Sequence, residues 1–281
     1  MRCLAIVGVG LIGGSFALAL RKAGYRGQVL GVSSAPTLEQ ALQMGVIDEG
    51  VELERAAKQA DVVFLSQPIL RIFDTLDVLD GSLNPTALVT DAGSTKSEIV
   101  ARARKKLTQA QFLGGHPMAG KETRGVASAD PDLFCGRTWV LTPLAATDLE
   151  TAAAREFAGW IEKIGANPVV LSPADHDRIV AFTSHLPQLL STALAATLAG
   201  VPGAPQAAGP AALDLTRLAL SPYDVWSDIF TTNSGPVGEA LSAYIDALDG
   251  LRRELASPTL RQRFEQAAAA ARELRERPSK L

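Results

Sequence analysis

The sequence predicts an α/β fold with a mostly parallel sheet, followed by a region built only of helices. Short apolar, β-rich runs alternate with helical patterns up to about residue 171, and this alternation is typical of a parallel sheet with helices on both faces. A glycine-rich motif joins the first run to the first helical pattern, and no convincing strand pattern occurs after residue 172. We therefore predict two domains, 1–171 and 172–281.

The composition indicates a chain that folds around a sizeable core. It has 281 residues, of which 47% are hydrophobic and 20% are charged. The net charge of −3 argues against a general nucleic-acid binder, which needs a basic face. Cys3 and Cys135 lie far apart and in no metal-ligand spacing, which favours the reducing cytoplasm and predicts no metal site. No run of eighteen apolar residues is free of glycine or charge, so we expect no membrane span.

The first strand pattern, Cys3–Val7, ends in a G-x-G-x-x-G motif. In such a motif Gly8 permits the tight turn, Gly10 lets the backbone approach a pyrophosphate, and Gly13 lets the following helix pack on the strand. The N–H groups at the start of that helix offer hydrogen bonds to the phosphates. Because a strand precedes the motif and a helix follows it, we predict a Rossmann-type dinucleotide-binding domain.

The second strand pattern, Gln28–Val32, is followed by Ser33 and Ser34, where folds that prefer NAD carry an acidic residue for the ribose hydroxyls. Thr37 opens a T-L-E-Q capping box, which places a helix N-terminus nearby. Hydroxyls beside a helix N-terminus suit the 2′-phosphate of NADP, although no arginine follows Ser33 closely. The pattern favours NADP and leaves NAD open. The residues expected to bind the dinucleotide are Gly8, Gly10, Leu11, Ile12, Gly13, Ser33, Ser34, Thr37, Ser66 and Pro68.

The alternation continues to residue 171. Strand patterns occupy 61–66, 87–90, 112–115, 139–142 and 168–171, and helical patterns occupy 52–59, 69–79, 95–106 and 149–164. Thr95 and Glu98 form a second capping box. Ligands of parallel sheets bind beyond the carboxyl ends of the strands. Five candidate residues fall there: Gly8, Ser33, Ser66, Ser94 and His116.

The stretch 112–120, F-L-G-G-H-P-M-A-G, places a histidine where an apolar run ends. Its two glycines let the backbone come close to a neighbour, and His116 has an ordinary pKa near physiological pH. We interpret His116 as the group that moves a proton in the reaction. The alternative is a hydrogen-bonded histidine that only caps the end of a strand.

The region 172–281 reads as helices. Ser172 as N-cap and Pro173 at the first helical position start a helix firmly. Pro187 falls inside an apolar helical pattern, so we expect a kink or a short break near His185. A Gly/Pro-rich loop at 200–210 precedes further helices at 211–220, 225–232, 236–255 and 258–276. Apolar helices of this extent favour a homodimer.

Several motifs together resemble one family. They are G-V-G-L-I-G-G-S, D-A-G-S-T-K, G-G-H-P-M-A-G, P-A-D-H-D, T-S-H-L-P and D-L-T-R-L-A followed by W-S-D-I-F, spread over residues 4–255. The chain is similar in these motifs to the prephenate dehydrogenases of tyrosine biosynthesis, a family that includes arogenate and cyclohexadienyl dehydrogenases. The resemblance implies a dinucleotide domain followed by an all-α dimerisation domain. It implies oxidative decarboxylation of prephenate to 4-hydroxyphenylpyruvate with hydride transfer to NAD or NADP, or the arogenate reaction that forms tyrosine directly.

The resemblance also implies site residues. His116 matches the catalytic histidine, which takes the proton of the substrate hydroxyl, and Ser94 matches the serine that holds the same hydroxyl. Arg217 matches the arginine that clamps a substrate carboxylate. The implied substrate pocket comprises Arg217, Ser184, His185, Gln188 and Trp226. Lys96 is interpreted as structural or near the cofactor, and His176 as a structural residue held by its neighbouring acids.

Each of these roles has a purely structural alternative. The Ser94 hydroxyl would instead cap a helix, Arg217 would be a solvated arginine, and Trp226 would pack in the core. His185 would be a core histidine satisfied by a backbone group near Pro187.

Two positions depart from the family pattern. Gln188 stands where many members carry histidine, which leaves inhibition by tyrosine open, and Lys121 stands where a small hydroxyl residue is common. Dehydrogenases of 3-hydroxy acids or of cyclic imines share the layout but lack the H-P-M-A-G and S-H-L-P motifs. A non-catalytic dinucleotide-sensing dimer need not retain His116, Ser94 and Arg217 together.

Overall fold

The first 170 residues of the protein are organised around a single eight-stranded sheet. The structure is a computed structural model, and it describes residues 1–276. The strands are β1 Cys3–Val7, β2 Gln28–Val32, β3 Glu49–Gly50, β4 Val62–Leu65, β5 Leu88–Asp91, β6 Gln111–Pro117, β7 Thr138–Pro143 and β8 Asn167–Val170. Their spatial order is β3-β2-β1-β4-β5-β6-β7-β8. Every neighbouring pair is parallel except β6 and β7, which are antiparallel. The predicted mostly parallel sheet is confirmed, and the two-residue strand β3 is an addition.

Helices cover both faces of this sheet, and helices and short turns form the described residues 171–276. The helices are α1 Leu11–Lys22, α2 Ala35–Gln43, α3 Leu53–Gln59, α4 Ile69–Leu79, α5 Ser97–Lys106, α6 Ala152–Lys163, α7 Pro173–Val180, α8 Leu186–Ala199, α9 Ala204–Ala207, α10 Pro210–Thr216, α11 Tyr223–Thr232, α12 Ser234–Glu254 and α13 Leu260–Arg275. The predicted helix 149–164 begins later, at Ala152, after a 3₁₀ turn. The predicted helix 211–220 becomes 3₁₀ from Arg217 onward.

The sheet separates two apolar cores. On one face Phe16 of α1 packs against Phe64, Trp139 and Phe157, with ring centroids 4.7 to 6.0 Å apart. The other face is covered by α4 and α5. Because both faces are covered, the central strands are apolar along their whole length, which is why they read as continuous apolar runs.

The start of α5 differs from the prediction. The Thr95–Glu98 capping box is not formed: α5 begins at Ser97, and no side chain of its own N-cap residue caps it. The carboxylate of Asp177, on α7, instead accepts hydrogen bonds from the backbone N–H groups of Lys96 (2.7 Å) and Ser97 (2.8 Å). A long-range contact therefore replaces the local cap.

The predicted cap at Thr37 is also displaced. Helix α2 begins at Ala35, three residues earlier than a Thr37 N-cap requires, with Ser34 in the N-cap position. Thr37 lies in the first turn, and its hydroxyl is 2.9 Å from that of Ser34. The predicted nearby helix N-terminus is thus present, one turn earlier.

The start and the break of the long helical segment are confirmed. The Ser172 hydroxyl accepts a hydrogen bond from the Asp175 N–H (3.0 Å), and Pro173 occupies the first turn. A π-helical turn, Ala181–His185, interrupts the regular helix two residues before Pro187.

Within residues 1–276, the segment Pro173–Ala199 is the one helix long and apolar enough, by length and composition, to cross a membrane. Helices packed inside a protein body pass the same test. Its buried side chains include the polar groups of His176, Asp177, His185 and Gln188. All four hydrogen-bond to residues outside the segment: His116 of β6, Lys96 at the start of α5, Asn233 and Leu218. These contacts anchor the segment to the sheet and to the neighbouring helices.

Candidate active site

The residues predicted at the carboxyl ends of the strands lie along one edge of the sheet. Gly8 follows β1, Ser33 follows β2, Ser66 follows β4, and Ser94 lies three residues beyond β5. His116 was expected just beyond its strand, but β6 extends through Pro117 and includes it. The extension is due to β7, whose antiparallel register pairs His116 with Val140.

A cavity of about 410 Å³ opens beside this edge. Five of the predicted site residues line it: Leu11, Ile12, Ser66, Pro68 and Ser94. Asp224, Val225, Asp228 and Ile229 of α11 form another wall. The cavity therefore lies between the sheet edge and the helical region.

The start of α1 fits the pyrophosphate of a dinucleotide. Gly8 turns with φ +97°, no side chain caps α1, and a Cβ built on Gly10 would meet no atom within 4 Å. The N-cap residue, Gly10, therefore has no side chain to occupy the start of α1, and the space beside it is open. A Cβ on Gly13 would instead lie 2.5 Å from the Gly8 carbonyl oxygen, so this glycine allows α1 to pack closely on the strand.

The polar residues after β2 form a separate group at the start of α2. Ser33 and Ser34 are exposed, and Thr37 is half-buried. Ser34 makes no side-chain cap to α2. This group offers three hydroxyls beside a helix N-terminus.

A chain of hydrogen bonds connects His116 to helix α7. His116 Nδ1 lies 2.8 Å from His176 Nε2, and His176 Nδ1 lies 2.8 Å from Asp177 Oδ1. His176 is fully buried, and His116 is half-buried. The expectation that acids hold His176 is met by Asp177, whereas Asp175 bonds to Ser172. The contact with His116 was missed, because the partners are 60 residues apart and no local pattern links them.

These groups have shifted pKa values. Burial lowers the pKa of His116 well below 6.5, and the neighbouring His176, Lys96 and His185 lower it further. Burial also lowers the pKa of His176, although Asp177 opposes the shift. For Asp177, burial raises the pKa, but hydrogen bonds from His176, Ser97 and Lys96 outweigh burial, so its pKa falls below 3.8. At neutral pH both rings are therefore neutral, and Asp177 is a carboxylate.

A buried ion pair fixes the backbone just before His116. Lys96 Nζ pairs with Asp91 and donates to the Gly115 carbonyl oxygen (2.7 Å), and the Gly115 N–H donates to Asp91 Oδ1 (3.1 Å). Both charged side chains are fully buried, and burial lowers the pKa of Lys96 against the opposing effect of Asp91. Lys96 is thus structural, and losing one partner of such a pair typically costs about 3–5 kcal/mol.

Ser94 lines the cavity and is half-buried. The alternative role, a helix-cap hydroxyl, is not seen, because Lys96 holds the N-cap position of α5 and Asp177 supplies the cap. The hydroxyl of Ser94 is thus not used by the helix that follows it.

Three of the predicted pocket residues lie on or beside the π-helical turn. His185 is buried, and its Nδ1 lies 3.2 Å from Asn233 Nδ2 rather than near a backbone group by Pro187. Burial lowers its pKa to about 4. Ser184 is half-buried beside it, and Gln188 Nε2 donates to the Leu218 carbonyl oxygen (2.9 Å).

Trp226 packs between aromatic rings of the helical region. Its indole stacks on Phe230 with centroids 5.6 Å apart and meets His185 edge-on at 6.2 Å, while Nε1 donates to the Ser221 hydroxyl (2.9 Å). The indole thereby supports the buried face of His185.

Arg217 lies outside these buried networks. Its side chain is 61% exposed and pairs with Glu122 at 3.4 Å. Glu122 follows the H-P-M-A-G stretch, so the pair joins the helical region to the loop after His116. Exposed pairs of this kind contribute at most about 1 kcal/mol, so the guanidinium remains available to another carboxylate.

Two protein-family models match the sequence of the chain. The nucleotide-binding domain of prephenate dehydrogenase matches residues 16–170, and the prephenate dehydrogenase dimerization domain matches residues 172–269. The chain belongs to the prephenate dehydrogenase family. The resemblance drawn from the motifs is confirmed, and so is a nucleotide-binding α/β domain followed by a helical dimerisation domain.

Individual relatives and solved structures support this assignment. The enzyme of Lactococcus lactis is 33% identical over 261 residues, which cover 89% of this chain and 70% of that protein. The crystal structure of the A. aeolicus prephenate dehydrogenase with hydroxyphenyl propionate and NAD+ superposes with a TM-score of 0.90 at 31% identity, over 98% of both chains. Synechocystis arogenate dehydrogenase gives 0.85 at 32% identity, over 97% of this chain and 99% of that one. The chain is a nicotinamide-dependent oxidoreductase of this family.

Proposed function

We propose that this protein catalyses the oxidative decarboxylation of prephenate to 4-hydroxyphenylpyruvate with NAD or NADP as hydride acceptor. The observation that carries the proposal is the placement of His116, the histidine of the H-P-M-A-G motif, at the same sheet edge as the uncapped start of α1. A proton acceptor and a dinucleotide cradle at one edge are what this reaction requires.

The residues would divide the reaction between them. The nicotinamide supplies the acceptor for the hydride of C4. His116 takes the proton of the C4 hydroxyl, whose O–H electron pair forms the carbonyl as hydride leaves. The C1–carboxylate bond then breaks, its electron pair makes the ring aromatic, carbon dioxide departs, and the proton returns to the phenolic oxygen.

The remaining residues would bind and orient the substrate. Ser94 holds the C4 hydroxyl against the imidazole, and Arg217 exchanges its weak pair with Glu122 for a substrate carboxylate. Ser184, His185, Gln188 and Trp226 form the wall of the substrate pocket. Burial keeps His116 neutral at physiological pH, which leaves the imidazole able to accept a proton.

Arogenate is the second candidate substrate. The similarity to the Synechocystis arogenate dehydrogenase, at 32% identity, lies between the 31% and 33% identity to the two prephenate dehydrogenases. The two substrates differ in a keto or an amino group on the side chain, and the same proton and hydride transfers apply to both.

A four-way assay tests the proposal. Prephenate and arogenate are each mixed with NAD and with NADP, and reduced nicotinamide is followed by absorbance. We expect turnover with prephenate. Turnover with arogenate alone would make arogenate the substrate, and silence in all four mixtures, with dinucleotide binding measured separately, would favour the non-catalytic sensor.

We further propose that NADP is the preferred cofactor. Three observations support this preference: Ser33 and Ser34 replace the acid expected for NAD, Thr37 adds a third hydroxyl, and α2 begins beside them without a side-chain cap. Dinucleotide phosphates are bound by such uncapped helix starts.

Substituting Ser33→Asp should turn the preference toward NAD. The added carboxylate repels the 2′-phosphate and accepts hydrogen bonds from the free ribose hydroxyls, so the ratio of kcat/KM for NADP to that for NAD should fall at least about tenfold. The uncharged isostere Ser33→Asn is the matched control and should change the ratio little. An equal ratio in Ser33→Asp and Ser33→Asn would place the 2′-phosphate elsewhere.

We also propose a homodimer formed through the helical region. Apolar side chains that are 62% to 85% exposed lie on its helices and turns: Leu213, Leu215, Leu220, Tyr223, Leu255, Phe264 and Leu274. Apolar side chains exposed in this number within one region support an interaction surface there. We expect a mass in solution of twice the 29.5 kDa of one chain, measured by light scattering during gel filtration, and a monomer at micromolar concentration would refute the dimer.

A further inference from the structure

The carboxylate of Asp177 occupies a fixed orientation. Its two oxygens accept hydrogen bonds from the backbone N–H groups of Lys96 and Ser97, at 2.7 and 2.8 Å, and a backbone N–H can only donate. The Asn233 amide donates to the Asp177 backbone carbonyl (2.9 Å) and holds the residue from the other side. Asp177 thus acts as an acceptor toward every side-chain partner.

This orientation determines which nitrogen of His176 carries the proton. His176 Nδ1 is 2.8 Å from Asp177 Oδ1, so Nδ1 must be the donor. A neutral imidazole carries one N–H, and Nε2 is then left with a lone pair. The lone pair faces His116 Nδ1 at 2.8 Å.

The same logic passes to His116. Since His176 Nε2 accepts, His116 Nδ1 must donate, and the single proton of the neutral ring is accounted for. The other nitrogen, Nε2, is left unprotonated. We propose that Asp177 is a positioning residue that acts through His176 to hold His116 in its Nδ1–H form, leaving Nε2 as the proton acceptor for the substrate hydroxyl.

This inference rests on the proposed role of His116 as the base. It assigns a positioning role to His176, which was interpreted from the sequence as structural, and to Asp177, one of the two acids that flank it. Asp177 then has two roles that can be tested separately. It caps α5 by accepting hydrogen bonds from backbone N–H groups, and it fixes the tautomer of His176 by accepting from the ring.

Nitrogen-15 NMR tests the proposal directly, because the chain contains only three histidines. The full-length protein without substrate is labelled at its imidazole nitrogens, and the signals are assigned with single histidine variants. In the wild type we expect His116 and His176 both to carry hydrogen on Nδ1. A wild-type His116 with its hydrogen on Nε2 would overturn the proposal.

Two variants then separate positioning from structure. Asp177→Ala removes both roles of the carboxylate, whereas His176→Phe removes the acceptor for His116 and leaves the cap on α5 in place. In each we expect a His116 population with hydrogen on Nε2 and a fall in kcat of up to about 10⁴-fold, the loss typical of a catalytic histidine left in the wrong tautomer. Dinucleotide affinity should not change.

Ser172→Ala is the matched control for destabilisation. It removes the cap of α7, the helix that carries His176 and Asp177, without touching either side chain. It should lower the Tm and leave the tautomers as in the wild type. Unchanged tautomers in both Asp177→Ala and His176→Phe would refute the proposal. Because the spectra are recorded without substrate, they determine the tautomers of His116 and His176 even if the proposed function is wrong.

Discussion

Replacing His116 with asparagine should lower kcat by about 10² to 10⁴-fold while the dinucleotide still binds. Asparagine retains an N–H that can donate to His176 Nε2, but it has no basic nitrogen to take the hydroxyl proton. A positioned general base contributes about this factor to a proton-transfer step. Steady-state rates with saturating prephenate, and dinucleotide affinity by fluorescence titration, measure the two effects separately.

The pH profile provides a second readout of the same substitution. Because burial lowers the pKa of His116, the base stays unprotonated to well below pH 6.5, and the acid limb of kcat in the wild type should lie below that value. His116→Asn should lack this limb. Undiminished turnover in the variant, with the Tm of the wild type, would remove His116 as the base.

Replacing Arg217 with alanine should raise the KM for prephenate about 10- to 100-fold. A hydrogen bond to a charged group is worth about 1.5–3 kcal/mol, and the loss of one bound carboxylate corresponds to this range. The exposed pair with Glu122 adds little stability, so the fold should tolerate the change. Initial rates at varied prephenate and saturating dinucleotide measure the effect.

Arg55→Ala is the matched control for this experiment. Arg55 also forms an exposed pair with a glutamate, Glu49, at 2.6 Å. Glu49 lies in the edge strand β3, and four strands separate β3 from β6. Its removal should leave the KM for prephenate unchanged. If Arg217→Ala altered only the affinity for the dinucleotide, Arg217 would belong to the cofactor site instead.

The sheet was largely predictable because each buried strand is a continuous apolar run. The direction of β7 was not, because an antiparallel and a parallel strand with both faces covered have the same apolar pattern. This one reversal extends β6 through Pro117 and places His116 inside the strand. Strand β3, with two residues, is too short to leave a pattern.

Local capping signals were less informative. The Thr95–Glu98 pattern satisfies the sequence rule for a capping box, yet the Thr95 hydroxyl bonds to that of Thr232 (2.7 Å), and α5 is capped by Asp177. The partner lies 80 residues or more away in each case. A rule that considers only the next three residues cannot detect such a competing partner.

The candidate site was likewise predictable where its residues are adjacent in sequence and not where they meet by long-range packing. The motifs identify His116, Ser94 and the dinucleotide cradle, because each carries its chemistry in adjacent residues. His176 was interpreted as structural, because two acids flank it and account locally for one ring nitrogen. The second nitrogen meets His116 only after α7 packs against the end of β6 and β7.

The polar contacts between Thr95, Lys96 and Ser97 on one side and Asp177 and Thr232 on the other bear on cooperativity. A fragment ending at residue 171 would leave the first turn of α5 with two backbone donors that have lost their acceptor. Water would replace the carboxylate in that fragment, and a hydrogen bond to a charged group contributes about 1.5–3 kcal/mol net, a large share of the stability of an ordinary domain. The nucleotide-binding and dimerisation segments therefore stabilise each other through these contacts, and we expect the fragment 1–171 to have a lower Tm than the whole chain.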